Sequence, residues 1–164
     1  MKPSWQKFLG VLLAGIFFAF CLQAQRAAAQ GPELKLIGTW KLNLAKSKFN
    51  SGPLPETITI HTWWWEAESL KHKAERVNQK GETVSVGGLW TAKFDGKDRL
   101  IGGDGESKVN MKRMDAFTTE MTEGAPGRPM SLFQQVVSRD ARTLTITRRT
   151  EGKDVEDILV HDRQ

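Results

Sequence analysis

Cysteine is nearly missing from this chain: Cys21 is the only one, so no intramolecular disulfide can form. A stapled scaffold or a thiolate metal centre is thereby excluded, and stability has to come from an apolar core. Long apolar runs are scarce as well. The longest, Phe8 to Leu22, is fifteen residues, short of the about twenty that a membrane-crossing helix needs. Catalytic signatures are absent too: there is no Gly-x-Ser-x-Gly elbow and no Walker phosphate loop. Gly103-Asp104-Gly105 lacks the third glycine of a dinucleotide loop, and Asp95-Gly96-Lys97-Asp98 departs from a calcium loop at its third position. His61, His72 and His161 lack the tight local pairing usual in zinc sites. They are expected on the surface or rim, which leaves haem ligation by His161 without support. These absences argue against an enzyme, a metal site or a cofactor.

The start of the chain has the build of a signal peptide. Lys2 and Lys7 precede the apolar run, and Ala27-Ala28-Ala29 offers the small residues that cleavage requires. Residues 1–29 are therefore expected to be removed, leaving 30–164 as one mature domain, secreted or periplasmic, with no stable membrane insertion. Lipid attachment at Cys21 is disfavoured by the bulky Phe20 before it. Taking away Lys2, Lys7 and Arg26 leaves 21 of the 24 basic residues against 19 acidic ones. The basicity of the whole chain thus belongs largely to the leader, and the remaining cations are dispersed, which disfavours nucleic acid as a partner. A domain of this length can bury an ordinary core without staples.

What the mature part does contain is a cadence. Short runs of alternating apolar and polar residues predict strands near 35–43, 57–66, 69–77, 83–94, 98–102, 106–113, 116–122, 128–138, 142–149 and 154–162. Between them stand turn residues such as Gln79-Lys80-Gly81, Asp95-Gly96, Arg139-Asp140-Ala141 and Glu151-Gly152-Lys153. Short separators make successive strands hairpin partners. The fold class is all-β: an antiparallel up-and-down barrel of about eight to ten strands, whose closure removes exposed edges. The longer Leu44 to Glu56 connection holds Ser51-Gly52-Pro53-Leu54-Pro55, which rules out a continuous helix but allows one turn over a barrel mouth.

Period two assigns faces. The inner set is expected to include Ile58, Ile60, Thr62 and Trp64; Val84, Val86, Gly88, Trp90, Ala92 and Phe94; Val109 and Met111; Phe117, Thr119 and Met121; Met130, Leu132, Gln134 and Val136; Leu144, Ile146 and Leu159. Candidate interior ligand contacts are Trp64, Trp90, Arg76, Met111, Arg113, Met121, Gln134 and Arg148. The methionines suit a loosely specified apolar guest, or serve only as gap fillers. Each arginine would bind an anion or a partner if buried, or would reach solvent at a strand end.

The opening Gly38-Thr39-Trp40-Lys41-Leu42-Asn43, with Lys46-Ser47-Lys48-Phe49 and Gly52-Pro53-Leu54-Pro55 behind it, resembles small exported bacterial proteins of lipocalin-like type. The tail from Val137 through Thr143-Leu144-Thr145-Ile146-Thr147 to His161-Asp162 is similar to the last strands of that group and, more loosely, of fatty-acid-binding proteins. The resemblance implies a calycin β-barrel carrying a small apolar ligand, an inference from fold alone. It also implies structural roles for Gly38, Trp40 and Arg163, with the arginine covering the indole in a cation–π contact of about 0.5–2 kcal/mol. In fatty-acid-binding proteins an inward Arg-x-Tyr pair on the final strand holds a carboxylate. Leu159 and His161 stand at those positions, so that clamp is missing.

Trp63-Trp64-Trp65 is unusual. Alternation sends Trp64 inward and leaves Trp63 and Trp65 outward, either as an apolar surface for a protein partner or packed on the Leu44 to Pro55 segment. The register of the following hairpin is open: one choice sets His61 opposite His72, another sets Trp63 opposite His72. The functional expectation is an exported, non-enzymatic barrel that binds a small, mostly apolar molecule. The alternative is an envelope structural or protein-interaction module with a filled core.

Overall fold

Short polar side chains close the turns. Asn78 Oδ1 accepts from the backbone N–H groups of Lys80 and Glu82 at 2.9 and 3.0 Å, and Asp115 Oδ1 from those of Phe117 and Thr118 at 2.6 and 2.8 Å. Asp140 Oδ1 takes the Arg142 N–H and the Ser138 hydroxyl in the same way. Each such turn satisfies donors that a reversing chain cannot place in a sheet ladder.

The computed structural model describes residues 33–101 and 105–164; the leader expected at 1–29 lies outside them. Among the described residues the strands are β1 (Gly38–Leu42), β2 (Ile58–Glu66), β3 (Ser69–Val77), β4 (Thr83–Ala92), β5 (Arg99–Leu100), β6 (Lys108–Arg113), β7 (Thr118–Gly124), β8 (Ser131–Val137), β9 (Thr143–Thr150) and β10 (Glu156–Arg163). They form one sheet in the order β4-β3-β2-β1-β10-β9-β8-β7-β6-β5, with every neighbouring pair antiparallel. First and last strands meet: Trp40 pairs with Arg163 and Leu42 with His161. The result is a nearly closed up-and-down barrel whose free edges are β4 and β5. The β4–β5 turn is tied to β6, with the Gly96 N–H donating to the Met111 carbonyl at 3.2 Å and Asn110 Nδ2 to the Gly96 carbonyl at 2.5 Å.

The β1–β2 connection makes one 3₁₀ turn, Leu44–Lys46, capped by the Asn43 side chain. It then runs along β10, where Lys48 bridges to Ile158 through paired backbone hydrogen bonds of 2.7 and 2.9 Å.

On β6, β7 and β9 the alternation sorts the faces correctly: Val109, Met111, Thr119, Met121, Leu144 and Ile146 are all buried. Two strands are inverted relative to expectation. On β8 the buried residues are Gln135 and Val137, whereas Leu132, Gln134 and Val136 are exposed. The segment Leu132-Phe133-Gln134-Gln135-Val136-Val137 puts apolar residues on both parities, and pairing of Thr119 with Gln135 settles the choice. On β2 the inner residue of the tryptophan run is Trp63, 2% exposed, and Trp64 takes the other parity. Here the hairpin decides. Glu66 pairs with Ser69 across a two-residue turn in which Ala67 has φ of 52°, so Trp63 stands opposite His72.

The third departure is on β4, where Val84 and Val86 are 53% and 61% exposed. Between His72 and Ala74 of β3, β4 advances from Trp90 to Gly87, one residue more than its partner. This bulge reverses the alternation. Trp90 and Ala92 stay buried beyond it, while Thr83–Leu89 is exposed throughout.

Candidate ligand site in the barrel interior

The register of β1, β2, β3, β4 and β10 brings the histidines and three tryptophans together at one end of the barrel. Gly38 pairs with Trp63 and Trp40 with His61 on one side; His72 pairs with Trp63 and Trp90 on the other. The Trp63 and His72 rings lie 4.2 Å apart between centroids, His72 and Trp90 4.7 Å, and Trp63 and Trp90 5.4 Å. His61 touches both other histidines, at 5.1 Å from His72 and 5.3 Å from His161. The sequence placed all three on the surface or rim; in the fold they are interior. That correction follows from parity, because His61 shares the face of Trp63 and His161 that of Leu159.

Hydrogen bonding assigns protons to this cluster. The Gly88 carbonyl, 2.8 Å from His72 Nδ1, can only accept, so Nδ1 carries the hydrogen. In neutral His72 the Nε2 is then an acceptor, and it receives His61 Nδ1–H at 2.9 Å. His61 is left with a lone pair on its own Nε2. Burial drives the relay to neutrality. It lowers His72 to about 4, against the opposing pull of the Gly88 carbonyl, and lowers His161 to about 4 as well. His61 is held well below the ordinary range by burial first and then by the two neighbouring histidines.

Trp63 Nε1 is buried without a hydrogen-bond partner, while His161 interacts with the backbone of Leu159 and Leu144. Other buried polar side chains among the described residues are satisfied. Trp40 Nε1 donates to the Leu36 carbonyl at 2.8 Å, and the Thr119 hydroxyl donates to Gln135 Oε1 at 2.7 Å. Arg163 lies over Trp40, 4.6 Å from the ring centroid, and donates to the carbonyls of Ile37 and Ala141.

Among the residues singled out from sequence, Trp90, Met111 and Met121 line the buried interior. Trp64 and Gln134 belong to the opposite faces of their strands, and Arg76 is exposed. Arg113, half-buried at the end of β6, donates from Nε to the Asp115 carbonyl. Arg148 is occupied by a protein carboxylate: it donates to Asp157 and, at 3.2 Å, to the Ser51 hydroxyl. Asp157 also accepts from the backbone of Asn50 and Ser51 at 2.7 and 2.8 Å and from the Ser51 hydroxyl at 2.5 Å. Burial alone would push this carboxyl up, but the hydrogen bonds from Ser51, Arg148 and Asn50 outweigh it and hold it at about 2. The expected outward pair of tryptophans does not form, since Trp63 is interior; Trp65 is 44% exposed and leans on Phe94, 5.9 Å away. Sequence reasoning put Trp63 and the three histidines on the outside and passed over Gln135 and Asp157 as buried residues.

No sequence-family profile matches the chain, and no curated protein matches it. Solved structures do. A Schistosoma mansoni fatty acid binding protein in complex with arachidonic acid is similar with a TM-score of 0.57 and 17% identity, over 82% of this chain and 99% of that one. Secretory abundant heat soluble protein 4 from Ramazzottius varieornatus aligns with a TM-score of 0.63 and 14% identity over 82% and 99%. Lipid binding protein 8 of Caenorhabditis elegans gives 0.57 and 11% over 79% and 96%. At such identities the likeness establishes the fold alone: a nearly closed antiparallel β-barrel, of ten strands among the described residues of this chain.

Proposed function

We propose that this chain is an exported, non-enzymatic β-barrel, secreted or periplasmic, that binds a small, mostly apolar molecule in its interior. The observation supporting this reading is the aromatic and aliphatic inner face formed by Trp63, Trp90, Met111, Met121 and Ile146 within a ten-stranded barrel. Eight strands enclose an interior that side chains fill or that holds one small ligand, and diameter grows with strand number. Apolar walls with a few convergent polar groups are the usual make-up of a small-molecule site. The neighbours named as fatty-acid and lipid binding proteins point the same way. Native mass spectrometry of protein purified from its own host tests the reading: a retained small molecule is expected, and protein that stays empty even after incubation with lipid extract overturns it. N-terminal sequencing of that material tests export, with a start near residue 30 expected.

A second reading, an envelope module acting through protein contacts, draws on one observation. Edge strand β4 exposes Val84, Val86 and Leu89 without a neighbouring strand on its outer side. A co-purifying protein on an empty barrel favours this alternative.

A further inference from the structure

The polar head of any guest of this barrel has to match the polar atoms that the interior, among the described residues, leaves unpaired. Trp63 Nε1–H is donor-only, lies in a residue 2% exposed, and has no acceptor. His61 joins it, because the His72–Gly88 bond fixes a tautomer chain that ends in a lone pair on His61 Nε2. Resting on the lumen-binding reading above, we infer that the barrel selects a long-chain molecule with an uncharged oxygen head, an alcohol or an aldehyde, over the corresponding carboxylate, and that Trp63 Nε1 is the donor that reads this head.

Charge supplies the discrimination. A carboxylate entering a low-dielectric interior needs a cation or several donors to offset its lost hydration. Arg148 is held by Asp157 and Ser51, Arg163 by the Trp40 face and two backbone carbonyls, and Arg113 by the Asp115 carbonyl. Arg76 is exposed, away from the aromatic cluster. A carboxylate, which only accepts, would also face the lone pair on His61. A hydroxyl can accept from Trp63 and donate to an imidazole nitrogen; a carbonyl can accept from Trp63 without bringing charge. Unpaired polar groups in a site of this kind reject the mismatched ligand more strongly than apolar walls do.

The test compares hexadecan-1-ol, hexadecanal and hexadecanoate, titrated at pH 7.5 into the lipid-stripped protein and followed by displacement of a fluorescent apolar probe. Expected is at least tenfold tighter binding of the alcohol than of hexadecanoate. In Trp63→Phe, which keeps one aromatic ring but loses the fused second ring together with the donor, the alcohol's advantage over hexadecanoate should shrink about tenfold, a ratio that a general loss of packing affecting both chains alike would leave unmoved. Equal or tighter binding of hexadecanoate overturns the inference while leaving lumen binding in place, as does an unchanged preference in Trp63→Phe. If the probe and all three chains fail to bind, the lumen reading itself falls.

Discussion

The His72 ring lies directly under Gly88: its Nδ1 donates to the Gly88 carbonyl at 2.8 Å, and a β-carbon on Gly88 would come within 3.3 Å of His72 Cε1. Gly88 also has φ of 59°, a left-handed conformation at the bulge that brings Trp90 back inside. Gly88→Ala should therefore cost about 1–3 kcal/mol, through backbone strain and a displaced imidazole. The neighbouring Gly87 has no atom within 4 Å of such a β-carbon and no positive φ. Gly87→Ala should be neutral, or stabilising by up to about 1 kcal/mol through the unfolded chain. Urea midpoints of the two variants check this; equal losses would show that the bulge does not depend on glycine.

Gly38 and Arg163 should behave as a coupled pair. A β-carbon on Gly38 would meet Arg163 Nη2 at 2.7 Å, and that nitrogen is pinned by the Ile37 carbonyl while the guanidinium covers Trp40. Gly38 has φ of 137°, which adds strain for any other residue. Gly38→Ala and Arg163→Ala are each expected to cost about 1–3 kcal/mol. The double variant should cost less than their sum, since removing the arginine clears the space the new methyl needs. Strict additivity in denaturant titrations would contradict a direct contact.

These two sites also show what the sequence made legible. Local signals carried far: turn residues and two-residue alternation placed ten strands close to where the backbone puts them, and the Gly38-Thr39-Trp40 stretch marked β1. Faces failed where alternation offered no contrast. Trp63-Trp64-Trp65 is apolar at every position, and its phase rests on a hairpin turn through Ala67, a residue type that rarely announces a positive φ. Gln135 is buried with its Oε1 accepting from Thr119 across the ladder, a partner sixteen residues away. Asp157 and His161 were within reach, since both share parity with Leu159. Their chemistry argued for solvent, and what overrode it was a set of non-local partners, Ser51 and Arg148 for the aspartate and the other histidines for His161.

Asp157 is expected to anchor the β1–β2 connection. Its carboxylate gathers the backbone of Asn50 and Ser51, the Ser51 hydroxyl and Arg148 at a site that is itself 1% exposed. Asp157→Asn removes the charge that Arg148 answers and half of the acceptor capacity, at an expected cost of about 2–4 kcal/mol. Ser51→Ala should cost about 1 kcal/mol, as one hydrogen bond is lost while the backbone contacts remain. Limited proteolysis distinguishes anchoring from a general loss of stability: Asp157→Asn should be cleaved first within residues 50–57, under conditions where the rest of the barrel still resists.

Acid should unfold this barrel in a window set by the histidines. His72 and His161 are lowered from 6.5 to about 4 by burial, and His61 is lowered as well. Because the native state holds them neutral while the unfolded chain takes up protons, stability is greatest above pH 6.5. It declines as pH falls toward 4 and levels off below, once both states are protonated. The loss is on the order of 3 kcal/mol for each of His72 and His161, large against a typical margin of about 5–15 kcal/mol. The backbone of Leu159 and of Leu144, and then the neighbouring Asp162, oppose that lowering in His161 without overcoming it. Asp157 works the other way in a lower range: held at about 2, it stabilises above 3.8 and loses that contribution only between 3.8 and 2, so it does not mask the histidine window. Urea midpoints should therefore drop steeply between pH 7 and 4.5, and His161→Gln should flatten the profile even if it lowers stability at pH 7. A midpoint that stays level across this interval would mean that the three imidazoles are not held neutral together inside the fold.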